Sequence, residues 1–192
     1  MCIPAKLRRI SGVIIITVLA VSCGFFDNDK NTVAEDENNP NAISLTYTVQ
    51  PEDGAFAIMF PGTPDYTNEP VDTETGILEN RMYIYEHSIH LAYMLAFTDY
   101  ANDQIEQYHP DELLNNAMEG FTAEIGIIVE KKQKVSIQNH SGIEFTASGQ
   151  GYWAFMRDYL VGNRLYQIGL LSTNGAVNED DANAFFNSFK LK

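Results

Sequence analysis

The stretch YWAFMRDYLVGNRLYQIGLLS, residues 152–172, decides the fold. It predicts two antiparallel strands joined at Gly162-Asn163, because these two residues tolerate the positive φ angles that a two-residue hairpin turn requires. With this turn, Tyr159 lies opposite Tyr166 and the register of the whole hairpin is set.

Side-chain alternation places one apolar set on each face of this hairpin. The first face carries Trp153, Phe155, Tyr159, Tyr166, Ile168 and Leu170. The second face carries Ala154, Met156, Leu160, Leu165 and Leu171. Because both faces are apolar, we expect the hairpin to be covered on both sides, as the middle layer of a three-layer domain.

The first 22 residues have the pattern of a secretory signal. Lys6, Arg8 and Arg9 form a basic start, and an apolar run follows as far as residue 21. This run is too short for a membrane-spanning helix, which needs about 20 apolar residues. We therefore expect residues 1–22 to direct export and to be removed.

The segment LAVS before Cys23 resembles the lipobox of bacterial lipoproteins. In that family the cysteine thiol receives diacylglycerol, and the signal is then cut off directly before the cysteine. The amino group that this cleavage creates is acylated with a fatty acid such as palmitate. Ala20 departs from the pattern, in which leucine is commonest at this position. The alternative is a secreted protein that keeps a cysteine near its cleavage site. The resemblance implies lipidation of Cys23, and Gly24, which is not an aspartate, favours the outer membrane in a cell that has one.

Cysteine content and charge exclude several classes of site and partner. Cys2 lies in the signal and Cys23 is the lipidation candidate, so the mature chain is expected to lack disulfides and cysteine-bound metals. The signal removes three basic residues and no acidic ones, which leaves nine basic against 26 acidic residues. This surface repels nucleic acid and anionic headgroups, so the N-terminal lipid is the expected membrane contact and a protein of the envelope is the expected partner.

Residues 23–42 are rich in Asp, Glu and Asn and are expected to form an acidic, flexible tether. Residues 27–31 imitate the start of a calcium-binding loop. Thr32 and Asn38 stand where such a loop needs glycine and glutamate, which argues against calcium. Residues 43–192 have the size of one domain.

Within this domain the apolar patterns predict mostly strands and two helices. Besides the hairpin, strands are expected at 43–49, 56–60, 77–86, 90–98, 127–130, 134–138 and 143–148. Residues 63–71 are expected to be extended and at an edge or in a loop, because two prolines interrupt them. Helices are expected at 110–124, ended by Gly126, and at 179–189, capped by Asn178.

Four segments together resemble a group of uncharacterised exported bacterial proteins with a PsbP-like fold. They are FAIMFPGTP (56–64), YMLAFTDY (93–100), YLVGNRLYQIGLLS (159–172) and FFNSFKL (185–191). The resemblance implies an α+β domain in which helices sandwich an antiparallel sheet, a PsbP-like α/β/α sandwich. It also implies a binding or assembly module without catalysis.

No catalytic or metal-binding signature stands out. His87 and His90 are three residues apart, which on a hairpin points their side chains to opposite faces and suggests solvent-facing histidines. There is no G-x-S-x-G motif, and Gly149-Gln150-Gly151 lacks the lysine and further glycine of a phosphate loop. We therefore predict no catalytic residue, no metal and no cofactor.

Arg157 is the unusual residue of the central hairpin, because it shares an apolar face with Tyr159 and Tyr166. An arginine beside aromatic rings can hold an anionic ligand, so these three residues are a candidate ligand site. The alternative is a structural ion pair with a neighbouring carboxylate.

Two functions remain open. The first is a membrane-anchored, non-enzymatic binding or assembly module. The second is a small-ligand carrier or hydrolase that uses a pocket beside the central hairpin.

Overall fold

The computed structural model describes residues 43–73, 76–106 and 108–192. The predicted signal, Cys23 and the acidic tether lie outside these residues. The described chain forms ten strands and three helices: β1 Tyr47–Val49, β2 Phe56–Phe60, β3 Asp65–Thr73, β4 Gly76–Ser88, β5 Leu91–Asp99, α1 Asn102–Ile105, α2 Pro110–Ile125, β6 Ile128–Ile137, β7 His140–Gly149, β8 Tyr152–Val161, β9 Arg164–Ser172, α3 Glu179–Ser188 and β10 Lys190–Leu191.

Seven of these strands form one antiparallel sheet in the order β3-β4-β5-β9-β8-β7-β6. Along the chain, consecutive hairpins connect β3, β4 and β5 into one group of strands and β6, β7, β8 and β9 into another. The pairing of β9 with β5 joins the two groups. The hairpin of β8 and β9 therefore lies inside the sheet, with three strands on one side and two on the other. The remaining strands form a small sheet in the order β1-β2-β10.

The predicted register of the central hairpin is confirmed. Val161 lies opposite Arg164, and Tyr159 lies opposite Tyr166. Gly162 has a φ of 60°, the positive value that the first central residue of a two-residue turn of type II′ requires. The local turn chemistry therefore sets the nine residue pairs of the hairpin, from Val161 opposite Arg164 to Trp153 opposite Ser172.

Helix α2 covers one face of the seven-stranded sheet. Its buried stripe contains Leu114, Ala117, Met118 and Phe121, which pack against the predicted second face of the hairpin. Gly126 ends the helix with a φ of 77°, and its backbone N–H donates to the carbonyl of Thr122. The predicted helix and its glycine stop are confirmed.

The small sheet and α3 together cover the other face. Phe56 of β2 packs edge-on against Phe97 and Tyr166 of the large sheet, with ring centroids 5.4 Å and 5.5 Å apart. Phe185 of α3 packs edge-on against Phe60, at 5.0 Å. Burial of both faces of the hairpin was expected and is confirmed.

The expected α/β/α sandwich is wrong. The described residues lie mostly in antiparallel strands, and the face opposite α2 is covered by a three-stranded sheet as well as by a helix. The physical reason lies in β2, whose alternating Phe56, Ile58 and Phe60 are each fully buried against the large sheet. This apolar strand fills a layer that the expectation gave to helices.

One smaller expectation also changes, and another is confirmed. The strands expected at 127–130 and 134–138 are one strand, β6, because a bulge between Val129 and Lys131 absorbs the break in alternation. The extended segment at 63–71 is the outer strand β3, as its prolines suggested. In the described part of the chain, no helix combines the length and apolar character needed to cross a membrane.

Candidate functional site

A shallow pocket lies at the end of the central hairpin, where three connections of the chain meet. Its volume is about 330 Å³. The lining residues are Asp53, Ala55, Asp99, Gln138, His140, Val161, Asn163, Arg164, Tyr166, Leu191 and Lys192. They come from the β1–β2 loop, the tip of the β6–β7 hairpin, the turn between β8 and β9, and the C-terminal end of the chain.

The turn between β8 and β9 is anchored to the end of β5, and this anchor shapes one wall of the pocket. The side-chain Nδ2 of Asn163 donates to the carbonyl of Tyr100 at 2.7 Å. The backbone N–H of Tyr100 donates in return to the carbonyl of Asn163 at 2.9 Å. These two reciprocal hydrogen bonds hold the turn in one position and so fix the position of Arg164, the next residue.

Arg164 is bound on three sides by carboxylate oxygens. Its Nε and Nη2 donate to the two oxygens of Asp99, at 2.5 Å and 2.8 Å. Its Nη1 donates to Asp53 at 2.7 Å. Arg81 donates to Asp99 as well, at 2.9 Å, and Phe97 lies beneath both guanidinium groups. The two-pronged pairing with Asp99 is the geometry in which arginine binds carboxylates most tightly.

The electrostatics of this cluster keep every member charged. Burial raises the pKa of Asp99, but the hydrogen bonds from Arg164 and Arg81 outweigh it, so that the pKa lies below its ordinary value. The backbone N–H of Ala55 chiefly lowers the pKa of Asp53. The bond to Asp99 chiefly raises the pKa of Arg164 above its ordinary value. Groups with such values do not exchange protons near neutral pH, so the cluster is suited to holding the loop rather than to acid–base chemistry.

Arg157 forms a structural ion pair, which the sequence analysis gave as the alternative to binding a ligand. Its Nε donates to Glu144 Oε2 at 2.5 Å, and its Nη2 donates to Asn183 of α3 at 3.2 Å. The guanidinium lies 4.6 Å from the ring centre of Phe186. Both charged side chains are mostly buried, 18% exposed for Arg157 and 10% for Glu144. Glu144 also accepts a hydrogen bond from Gln133, which completes the pair.

Tyr159 and Tyr166, the other two predicted ligand residues, are buried on the same face as Arg157. Tyr159 stacks on Phe189 with an angle of 9° between the rings, and Tyr166 packs against Phe56 and Phe189. The structure thus brings the three predicted residues to one face. Of the three, Tyr166 lines the pocket described above.

The histidines are dispersed. His87 and His90 are exposed at the hairpin of β4 and β5, as the sequence suggested, and His90 contacts Thr173 at 3.0 Å through Nδ1. His109 precedes α2 and accepts from the backbone of Asp111, while His140 lines the pocket. Among the residues that the structure describes, no group of three or more His, Cys, Asp or Glu could hold a metal ion.

The cluster around Arg164 was not predicted. Asp99 meets Arg164 because β5 pairs with β9, and the two residues are 65 positions apart in the chain. Nothing in a single sequence sets that pairing. The local signal that does exist is Asp99 at the end of an apolar strand, directly before Tyr100, where a charged residue marks the edge of the core.

The outer strands of the large sheet are the other surface feature. Strand β3 carries exposed Asp65 and Glu69 and contains no lysine or arginine. Strand β6 carries exposed Lys131, Lys132 and Lys134. An outer strand leaves one row of backbone N–H and C=O groups without a strand partner, which is a site for pairing with another chain.

Searches against known proteins add no assignment. No protein-family model matches the chain. No curated protein sequence matches it either. The resemblance to exported PsbP-like proteins therefore stays a prediction from the sequence.

Proposed function

We propose that the chain is a membrane-anchored bacterial lipoprotein that acts as a non-enzymatic binding or assembly module in the cell envelope. The observation that supports this role is the burial pattern of the large sheet. Both faces of its five inner strands are covered, by α2 on one side and by α3 with the small sheet on the other. The two outer strands remain as extended surfaces with free backbone groups, and these can bind a partner strand.

The internal charges favour the same role. Arg157 is engaged by Glu144, and Arg164 by Asp99 and Asp53. Each guanidinium also lies over an aromatic ring. These groups hold the layers together through their internal partners, which supports a module that binds through its surface.

The attachment to the membrane rests on Cys23, in the lipobox-like segment. Two or more acyl chains hold a protein on a bilayer durably, whereas the acidic chain itself has no attraction to anionic headgroups. Replacing Cys23 with serine should release the protein into the soluble exported fraction. Retention of the Cys23→Ser variant in the membrane fraction would refute lipid anchoring.

The binding role is tested by site-specific crosslinking in cells. A photoreactive residue at Ser136, which is exposed on β6, should capture a defined protein. The same residue at Glu124, which is exposed on α2, is the matched control and should capture much less. Mass spectrometry of the crosslinked species identifies the partner. If neither position captures any protein, the proposal of a binding module fails.

A small-ligand carrier or hydrolase is the second candidate, and the pocket at the end of the hairpin is the observation in its favour. Its polar lining includes His140, Asn163 and Lys192, which can donate hydrogen bonds to a small polar molecule. Native mass spectrometry of the protein as isolated from cells tests this. A bound small molecule that is lost in a His140→Ala variant would favour the carrier over the assembly module.

A further inference from the structure

The two outer strands of the seven-stranded sheet carry opposite charges. Asp65 and Glu69 on β3 are exposed and acidic, whereas Lys131, Lys132 and Lys134 on β6 are exposed and basic. Charged residues on an outer strand normally prevent identical strands from pairing. Here they would repel β3 from β3 and β6 from β6, but they would attract β3 to β6.

Four of these five charged side chains also lie on the same face of the sheet. Thr67 of β3 pairs with Met82, whose side chain belongs to the core under α2, so Asp65 and Glu69 share that face by alternation. Lys132 pairs with Phe145 and Lys134 pairs with Ile143, both from the same core. Asp65, Glu69, Lys132 and Lys134 therefore project on the side of the sheet that α2 covers. Lys131, which pairs with Thr146, projects on the other side.

The direction of the strands decides which arrangement of two molecules brings these charges together. The seven strands are antiparallel throughout, so β3 and β6, the first and the seventh, run in the same direction. A second copy displaced along the sheet places its β3 beside β6 of the first copy, in parallel, and keeps α2 of both copies on one side. A two-fold axis would instead join like strands and like charges.

We propose that β6 of one copy pairs with β3 of a second copy, so that the protein assembles head to tail into a continuous sheet. This inference rests on the proposed function and names its partner as the same chain. Lys132 and Lys134 already contact Asn115 and Asp111 of α2, but a lysine has three donors and both side chains remain exposed. They are free to bind Asp65 and Glu69 of the neighbouring copy.

Two local features limit the length of the new pairing. Pro70 has no backbone N–H, so β3 offers a continuous edge only over residues 65–69. The bulge between Val129 and Lys131 interrupts β6, so its regular edge begins at Lys131. A ladder this short is weak between molecules in solution. Anchoring in a membrane raises the effective concentration of the copies and makes such a contact usable.

Charge reversal of each edge tests the assembly. One variant carries Lys131→Glu and Lys132→Glu, which keeps the contact between Lys134 and Asp111. The other carries Asp65→Lys and Glu69→Lys. Each variant alone has two edges of like charge, so we expect its apparent dissociation constant for self-association to rise by about 100-fold. In a mixture, the β6 edge of either variant is complementary to the β3 edge of the other, so association should return.

The measurement is energy transfer between fluorescently labelled copies of the full chain anchored in liposomes, where the membrane keeps the copies close, at low and at high ionic strength. The parent should associate more weakly at high salt, because the charges are exposed. Glu119→Lys with Glu124→Lys on the exposed side of α2 is the control, since it changes the net charge as much as the β3 variant does and should leave association unchanged. Circular dichroism verifies that each variant is folded, and recovery in the mixture excludes misfolding independently.

The outcomes separate this inference from the proposed function. Recovery in the mixture, with loss in each variant alone, supports head-to-tail assembly. A parent that stays monomeric, or variants that do not recover when mixed, overturns it. If the parent is monomeric but Ser136 still captures a different envelope protein, the binding module stands and the partner is not a second copy. If Ser136 captures nothing as well, both proposals fail.

Discussion

Asp158 lies directly opposite Gln167 in the central hairpin, and both side chains are buried, 0% and 2% exposed. Gln167 Nε2 donates to Asp158 Oδ2 at 3.3 Å. The other oxygens of the pair, Asp158 Oδ1 and Gln167 Oε1, are buried without a partner. A proton on Oδ1 would let the acid donate to the amide oxygen, and the two groups would then form a ring of two hydrogen bonds. Burial raises the pKa of Asp158 to about 8, which agrees with a protonated acid at neutral pH.

This pair predicts that the protein loses stability as the pH rises toward 8. The pKa of Asp158 is about 8 in the folded state against 3.8 for the ordinary side chain, so between these values the folded state holds a proton that the unfolded state has released. The stabilisation from Asp158 is complete when the pH is below the ordinary pKa. It disappears as the pH rises through the folded-state pKa. Within the window the slope is about 1.4 kcal/mol per pH unit. Tyr100 is coupled to Asp158, but burial raises the pKa of Tyr100 and it stays neutral throughout.

The variant Asp158→Asn is the matched test, because its amide can form both hydrogen bonds with Gln167 and does not titrate. Urea unfolding at several pH values should show a smaller fall in the free energy of unfolding for the variant than for the parent. Equal slopes in the two proteins would contradict a raised pKa at Asp158.

Arg157→Met should destabilise the fold by about 3 kcal/mol, because it leaves Glu144 buried without its cation. Methionine retains apolar contact with Phe186, so the loss reports mainly on charge. The double variant Arg157→Met with Glu144→Met should be closer to the parent, since it removes both charges together. Chemical denaturation of the three variants measures this. A single variant as stable as the parent would argue against the structural ion pair, and unaltered ligand and partner binding in it would rule out the candidate ligand site.

The two aspartates that bind Arg164 should differ in importance. Asp99→Asn weakens bonds from two arginines at a part-buried site and should cost about 2 kcal/mol. Asp53→Asn affects an aspartate whose side chain is 44% exposed, and should cost less than about 1 kcal/mol. Because the pKa of Asp99 is lowered in the folded state, Asp99 stabilises the fold at pH values above the ordinary aspartate pKa. This stabilisation is lost as the pH falls below the ordinary pKa and through the lowered one. Thermal unfolding at neutral and at acidic pH compares the two variants. Equal losses of stability in both would contradict the predicted difference between Asp99 and Asp53.

Gly169→Ala should destabilise the centre of the sheet by about 2 kcal/mol. A Cβ at Gly169 would overlap the sulfur of Met156 on the neighbouring strand and lie 2.9 Å from the carbonyl of Phe155. Adding Met156→Ala makes room for the new methyl group, so the double variant should lose less than the sum of the two single variants. Calorimetric unfolding of the three variants measures the coupling. Strict additivity would mean that the two side chains do not compete for the same space.

Some of this architecture is encoded locally and was predictable. The hairpin register follows from Gly162 and from alternation, and the ends of α2 and α3 follow from Gly126 and Asn178, because turns and caps depend on a few neighbouring residues. Apolar residues on both sides of the hairpin required two covering layers. That requirement does not say what each layer is made of.

The tertiary structure decided the rest. An apolar strand such as β2 can join a large sheet or cover it, and sequence alternation is the same in both cases. The pairing of β5 with β9 brings Asp99 to Arg164, and it leaves β3 and β6 as the outer strands with their opposite charges. Pairing between distant strands depends on packing across the whole core. For that reason, the residues that matter most for the proposed assembly could be located only once the order of the strands was known.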